Sequence, residues 1–125
     1  MLWHWRIYET RVKQNIAKYN ILLYFGTVNV IALRKLREFW HKHPESEVAL
    51  RTWYKRLRKS KVENFIELKD IFNSADYADP YTIFDIAGNN YRVIVVVVYR
   101  GNIAFIKRVF THREYDDWDS RKETA

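Results

Sequence analysis

The clearest pattern of apolar and polar positions lies in the last third of the chain, where three apolar runs are joined by two Gly/Asn turns. Thr82, Phe84 and Ile86 alternate with Ile83 and Asp85, the spacing of a strand. Ala87-Gly88-Asn89-Asn90 follows, rich in residues that tolerate positive φ, and predicts a hairpin turn. Residues 91–99 are almost wholly Val, Ile and Tyr and predict a central strand. Arg100-Gly101-Asn102 predicts a second turn, and residues 103–111 a last strand. A short helical turn is expected over residues 112–118, with fraying from 119 to 125.

Upstream the period changes. Residues 28–33 (VNVIAL) predict a short strand, after which Leu33, Leu36, Phe39 and Trp40 fall at helical spacing. Pro44 disfavours helix in the residue before it, so this helix should stop near His43. Ser46 is the expected cap of a second helix, with Ala49, Leu50, Trp53, Tyr54 and Leu57 on its apolar side. The two helices form a hairpin across Pro44. Asn64 is the expected cap of a third, short helix carrying Phe65, Leu68, Ile71 and Phe72, and residues 74–80 read as a polar loop.

Residues 1–27 differ in character: Trp3, Trp5, Ile7 and Tyr8 precede a polar stretch, and residues 21–25 are apolar. A helix placing Ile16, Tyr19, Leu22 and Leu23 on one face is expected there. Helices followed by a run of antiparallel strands define an α+β fold: a small antiparallel sheet with a helical hairpin on one face.

Composition adds constraints. The 125 residues, 48% hydrophobic with only three Gly and two Pro, suit one domain with a real core. The absence of Cys excludes disulfides, thiol nucleophiles and Cys-ligated zinc, and permits a reducing cytoplasm. No apolar run approaches the roughly 20 residues that span a bilayer, and charges at Arg6, Glu9, Arg11 and Lys13 break any signal-peptide layout. The expectation is a cytoplasmic protein without membrane contact. His4, His41, His43 and His112 show no metal-ligand spacing, so neither metal nor cofactor is expected.

The net charge of +7 changes the picture most, because it points to a polyanionic partner. Six of the eleven residues from 51 to 61 are basic, with no acid among them. A solvated helix face is the plain reading of such a run. Mutual repulsion relieved by a phosphate backbone is the functional one. On that reading Arg51, Lys55, Arg58, Lys59 and Lys61, with Lys107, are the RNA-binding candidates.

The candidates for chemistry are Arg92, Arg108, His112 and Tyr115. Residues two apart in a strand share a face, so Arg92 goes with Ile94 and Val96. Arg108 goes with Ala104, Ile106 and Phe110 by the same count, and Lys107 points the other way. Pairing across the second turn brings Arg92 near residues 108–112. Whether they share a face depends on register. Arginines among apolar neighbours are costly to bury unpaired, so either Asp85 or a C-terminal acid such as Asp116 pairs them, or they line an anion site. RNA can be cut without a metal when its own 2′-hydroxyl attacks the adjacent phosphorus. That reaction needs a base, a proton donor, and cations for the pentavalent oxyanion. Guanidinium groups suit the cation role, His112 suits proton transfer, and Tyr115 can stack, orient or donate.

The run FDIAGNNYRVIVVVVY, with the later FIKRVFTHREYD, resembles the HigB family of type II toxins within the RelE/ParE superfamily. The likeness rests on Phe84-Asp85-Ile86, Gly88-Asn89, Tyr91-Arg92 and the closing Thr111-His112-Arg113-Glu114-Tyr115-Asp116. Upstream it includes the segment LREFWHKHPESEVALRTWYKRLRKS, and it covers about residues 28–119. It implies a RelE-like fold and a ribosome-dependent mRNA endonuclease. A HigA-like helix-turn-helix antitoxin is its implied partner, and DNA is reached only through the antitoxin complex. A catalytically inactive binding module of the same fold, or a gyrase-targeting ParE-like toxin, are the alternatives. The resemblance also implies a toxin domain over 28–119 and a tail over 120–125. Residues 1–27 would then be an extension arising from a start site assigned upstream of Val28.

Overall fold

The computed structural model describes residues 27–124, with side chains described for residues 27–119. The expected extension up to residue 26, with its helix through Ile16 and Leu23, lies outside the described residues. Strand β1 (Asn29–Ile31) is followed by α1 (Leu33–Lys42), a 3-10 turn (Pro44–Ser46), α2 (Glu47–Lys59) and α3 (Phe65–Ile71). Then come β2 (Asp76–Ala78), β3 (Tyr81–Ile86), β4 (Tyr91–Val98), a 3-10 turn (Tyr99–Gly101), β5 (Ile103–Thr111) and α4 (His112–Thr124). The strands form one sheet in the order β1-β5-β4-β3-β2.

The α+β reading holds, and the sheet is mixed. β1 pairs with β5 in parallel, while the remaining pairs are antiparallel. Parallel neighbours need a long crossover between them, and here everything from α1 to β4 separates the two. The loop expected over 74–80 contains β2, a three-residue edge strand pairing Asp76 with Ile83 and Ala78 with Tyr81. Three polar or small residues show no alternation by themselves; the partner strand defines them.

Helices α1, α2 and α3 cover one face of the sheet. Leu36, Phe39, Leu50, Trp53, Leu57 and Leu68 pack against Phe84, Ile86, Val93, Val95, Ala104 and Ile106. Each large apolar side chain buried there contributes about 1.5–3 kcal/mol. Trp53 and Phe72 both set their rings edge-on to Phe84, at 5.2 and 5.0 Å between centroids. Asn64 caps α3 as expected, its Oδ1 accepting from the Glu67 amide at 2.9 Å. Ser46 does not cap α2 through its side chain. It is buried in the 3-10 turn, where its hydroxyl donates back to the His43 carbonyl at 2.7 Å.

The first hairpin turn takes positive φ at Ala87 and Gly88, at 55° and 70°. Gly88 has open space where a Cβ would stand, so its backbone conformation, not crowding, is what glycine serves there. In β5 the register shifts opposite Ile94 and Val95, since Ile94 pairs with Arg108 but Val95 pairs with Ile106. Lys107 is thus the extra residue of a β-bulge, and the bulge reverses the facing of everything after it. Counting by twos therefore fails across it. Ala104 and Ile106 face the helices, whereas Arg108 and Phe110 face the opposite side with Arg92 and Ile94. Helix α4 crosses that opposite face: Trp118 stacks near Tyr81 and Phe110, at 5.5 and 5.8 Å.

Candidate functional site

The polar centre of the α4-covered face is Arg92. It sits early in β4, between Tyr91 and Val93, and is 7% exposed. Its cross-strand neighbour on β3 is Asp85, and the pairing that sets the hairpin register also brings their charges together. Arg92 Nε lies 2.9 Å from Asp85 Oδ1. Nη1 donates to the Asn89 and Tyr91 carbonyls, each at 3.2 Å, and Nη2 donates to Asn89 Oδ1. The remaining Nη2 proton faces His112 Nδ1 at 3.5 Å. All five guanidinium N–H groups are therefore directed at protein acceptors. Of the two sequence alternatives for this arginine, pairing by Asp85 is the one realised.

What this clasp holds is the start of α4. The Arg92 guanidinium carbon stands 5.2 Å over the Tyr115 ring, a cation–π contact worth about 0.5–2 kcal/mol. The His112 amide donates to the Asn90 carbonyl at 2.9 Å, tying the helix to the hairpin turn. Thr111 and Glu114 close a reciprocal cap: Glu114 Oε1 accepts from the Thr111 amide at 2.8 Å, and Thr111 Oγ1 accepts from the Glu114 amide at 3.2 Å. The Thr-x-x-Glu spacing is visible in the sequence and marks the boundary between β5 and α4.

His112 is consequently fixed and exposed together, its side chain 48% accessible, with Nε2 3.3 Å from Asp116 Oδ2. Its two ring nitrogens thus face different groups, Nδ1 the Arg92 guanidinium and Nε2 the Asp116 carboxylate. Burial raises the Tyr115 phenol above its ordinary value; Asp119 adds to this and Arg92 opposes it. Burial also lifts the Asp85 carboxyl, with Arg92 pulling it back.

Arg92, His112 and Tyr115 are thus brought together, and Arg108 is not among their contacts. It is exposed on the stretch of β5 beyond its pairing with β1, where it lines a groove of about 360 Å³ against α1 with Lys107 and Lys42. The helix-two candidates stand in the other layer, on the far side of the sheet from His112. Arg51 has a carboxylate after all: Glu47, four residues earlier, accepts from its Nε at 2.7 Å. Arg58 donates to the Tyr54 hydroxyl at 3.1 Å. Arg56 reaches the Ile71 carbonyl and covers the Phe72 ring at 5.0 Å. Lys55 and Lys59 are exposed, and Lys61 lies beside Tyr99 and Arg100, at the end of the sheet away from Arg92. Asn89, which takes two of the Arg92 bonds, was visible to sequence reasoning only as a turn residue. Its place three residues before an arginine was the available signal.

A mixed sheet with helices on one face and a polar clasp under a C-terminal helix on the other is an α+β arrangement consistent with RelE-like toxins. The family model described as HigB_toxin, the RelE-like toxic component of a toxin–antitoxin system, matches residues 46–118. The chain belongs to the HigB family. It is 28% identical over 92 residues to the mRNA interferase toxin HigB of Escherichia coli K12, covering 71% of this chain and 88% of that protein. The mRNA interferase HigB of Shigella flexneri gives the same figures. That of Escherichia coli O6:H1 is 26% identical, covering 71% of this chain and 89% of the relative.

Proposed function

We propose that this toxin is an mRNA interferase that cuts mRNA on the ribosome through the RNA's own 2′-hydroxyl, and that a HigA-like helix-turn-helix antitoxin neutralises it in the cytoplasm. The family supports the reading, and one observation carries it: an exposed imidazole held at two points by Arg92 and Asp116. In this reading His112 is the catalytic residue that moves a proton. Arg92 is a positioning residue, because every N–H it has is already committed. Arg108, with an exposed guanidinium on the same sheet face, is the cation that reaches the phosphate. Tyr115 holds its phenolic proton past pH ~10, so it donates or stacks and does not act as a base. Residues 28–119 make up the toxin unit, and DNA is met only through the antitoxin.

Induced expression tests this directly. The wild type should arrest growth with new mRNA ends mapped inside translated frames, without DNA damage. His112→Gln should reduce cleavage by about 10²–10⁴-fold, the usual worth of a positioned acid or base, while still capturing antitoxin. Full toxicity in that variant removes His112 from the mechanism, and arrest with DNA breaks but intact mRNA replaces the reading altogether.

A further inference from the structure

β1 pairs with β5 only through Phe105, so β5 from Ile106 to Thr111 has no strand neighbour on that side among the described residues. Helix α1 stands beside this open edge, and the groove of about 360 Å³ lies between them. Lys35, Lys42, Lys107 and Arg108 line it. Its two acids are engaged elsewhere. Glu38 pairs with Arg34 at 3.2 Å, and Glu114 is the reciprocal cap of α4. Among the described residues Lys42, Lys107 and Arg108 have no carboxylate within ion-pair distance. Lys35 Nζ donates to the Lys107 carbonyl at 3.0 Å.

We propose that single-stranded RNA runs along the open edge of β5, its phosphates held by Lys35, Lys42, Lys107 and Arg108, and passes from there to His112. The inference rests on the mRNA-cleaving reading above and adds the path of the strand. Three features favour it. The cations are uncompensated and line a concave surface, which concentrates their field on one track. Glu114, at one end of the groove, is two residues from His112, so the track leads to the proposed catalytic group. An acidic peptide adding a strand to β5 would meet a worse edge: the Lys107 bulge breaks the regular ladder, and Lys35 already occupies the Lys107 carbonyl. The basic face of α2 offers the contrasting case, with its arginines bound within the fold on the other side of the sheet.

Binding of a short, fully 2′-O-methylated single-stranded RNA, which cannot be cut through its 2′-oxygens, is the test. Fluorescence anisotropy over a salt series reads the number of phosphates neutralised, about 0.7 in log–log slope for each. The triple variant Lys42→Gln/Lys107→Gln/Arg108→Gln should lower the slope by about 2. Lys55→Gln/Lys59→Gln should leave it unchanged, with melting curves showing both variants folded. An unchanged slope in the triple variant, while the wild type still cleaves mRNA on ribosomes, overturns the groove and leaves the cleavage reading standing. Loss of antitoxin capture with the slope retained also overturns it, in favour of a strand-adding peptide. A wild type that neither binds this RNA nor cleaves mRNA brings down both. A crosslink from 4-thiouridine RNA to the 106–111 segment supports the track independently of any substitution.

Discussion

Helix α2 and the clasp between β4 and α4 both hold arginine, and they are built on opposite principles. On α2 the cations are numerous and adjacent in sequence, yet each arginine is bound nearby: Arg51 by Glu47, Arg56 by the Ile71 carbonyl, Arg58 by Tyr54. In the clasp there is one buried arginine, and it joins Asp85 on β3, Asn89 in the turn, and His112 and Tyr115 on α4. Charge density along a helix costs little to arrange, because each side chain is solvated or paired independently. Convergence of residues 85, 89, 92, 112 and 115 requires a strand register, a turn and a helix start to agree. The second is the better mark of a built site.

The largest effect should come from removing the centre of the convergence. Arg92→Ala leaves Asp85, three-quarters buried, without its partner, deletes the hydrogen bonds to Asn89, and frees the Tyr115 ring. Breaking a buried ion pair from one side typically costs about 3–5 kcal/mol, so the melting temperature should fall by well over ten degrees, at roughly 4–8 °C per kcal/mol for a domain of this size. Differential scanning calorimetry measures it. Arg92→Lys should recover the charge facing Asp85 but not the bonds to Asn89 or the His112 contact. It should therefore fold better than Arg92→Ala and still lose cleavage. If Arg92→Ala melts like the wild type, the clasp is a surface feature and the contrast with α2 collapses.

Much of this was legible beforehand, and the exceptions have physical causes. Periodicity placed α1, α2, α3, β3, β4 and β5 within a residue or two, because each carries an apolar stripe facing the same core. The Asp85–Arg92 pair was among the alternatives, since two charges in neighbouring apolar strands must find each other or pay for desolvation. The facing of Arg108 was wrong, because counting by twos cannot see a bulge whose extra residue, Lys107, is defined only by its partner strand. The single-sign run on α2 was misread in one respect. Its compensating acid, Glu47, lies four residues before Arg51 along the helix and outside the window that was counted. The approach of Arg92 to His112 was legible; the separation of Arg108 from them was not.

A smaller effect should come from the cap that starts α4. Glu114→Ala removes the carboxylate that accepts from the Thr111 amide, and loss of such a cap costs roughly 1 kcal/mol. Hydrogen exchange should quicken at the first turn of α4 while the core strands keep their protection. Cleavage should fall modestly, because His112 sits on that turn. Glu114→Gln, which can still accept, should recover most of both. Wild-type protection in both variants would mean that Arg92, Tyr115 and the His112–Asn90 backbone bond hold the helix start without the cap, which would sharpen the contrast by moving the burden onto the clasp.

The smallest effect is the one the contrast stakes most on. Lys55 and Lys59 project from the solvent side of α2, among the described residues without a carboxylate partner, and exposed substitutions away from caps and pairs usually change stability by less than about 0.5 kcal/mol. Lys55→Ala/Lys59→Ala should therefore melt with the wild type and cleave ribosome-bound mRNA at the wild-type rate. The null result has content because the same two charges would matter if α2 gripped the substrate: removing two phosphate contacts would weaken binding and flatten its salt dependence. A double variant that folds normally but loses cleavage would place RNA or ribosomal phosphate on α2, on the face of the sheet opposite His112. The substrate would then have to wrap an edge of the molecule to reach both, and the open edge of β5 is the side on which His112 begins its helix.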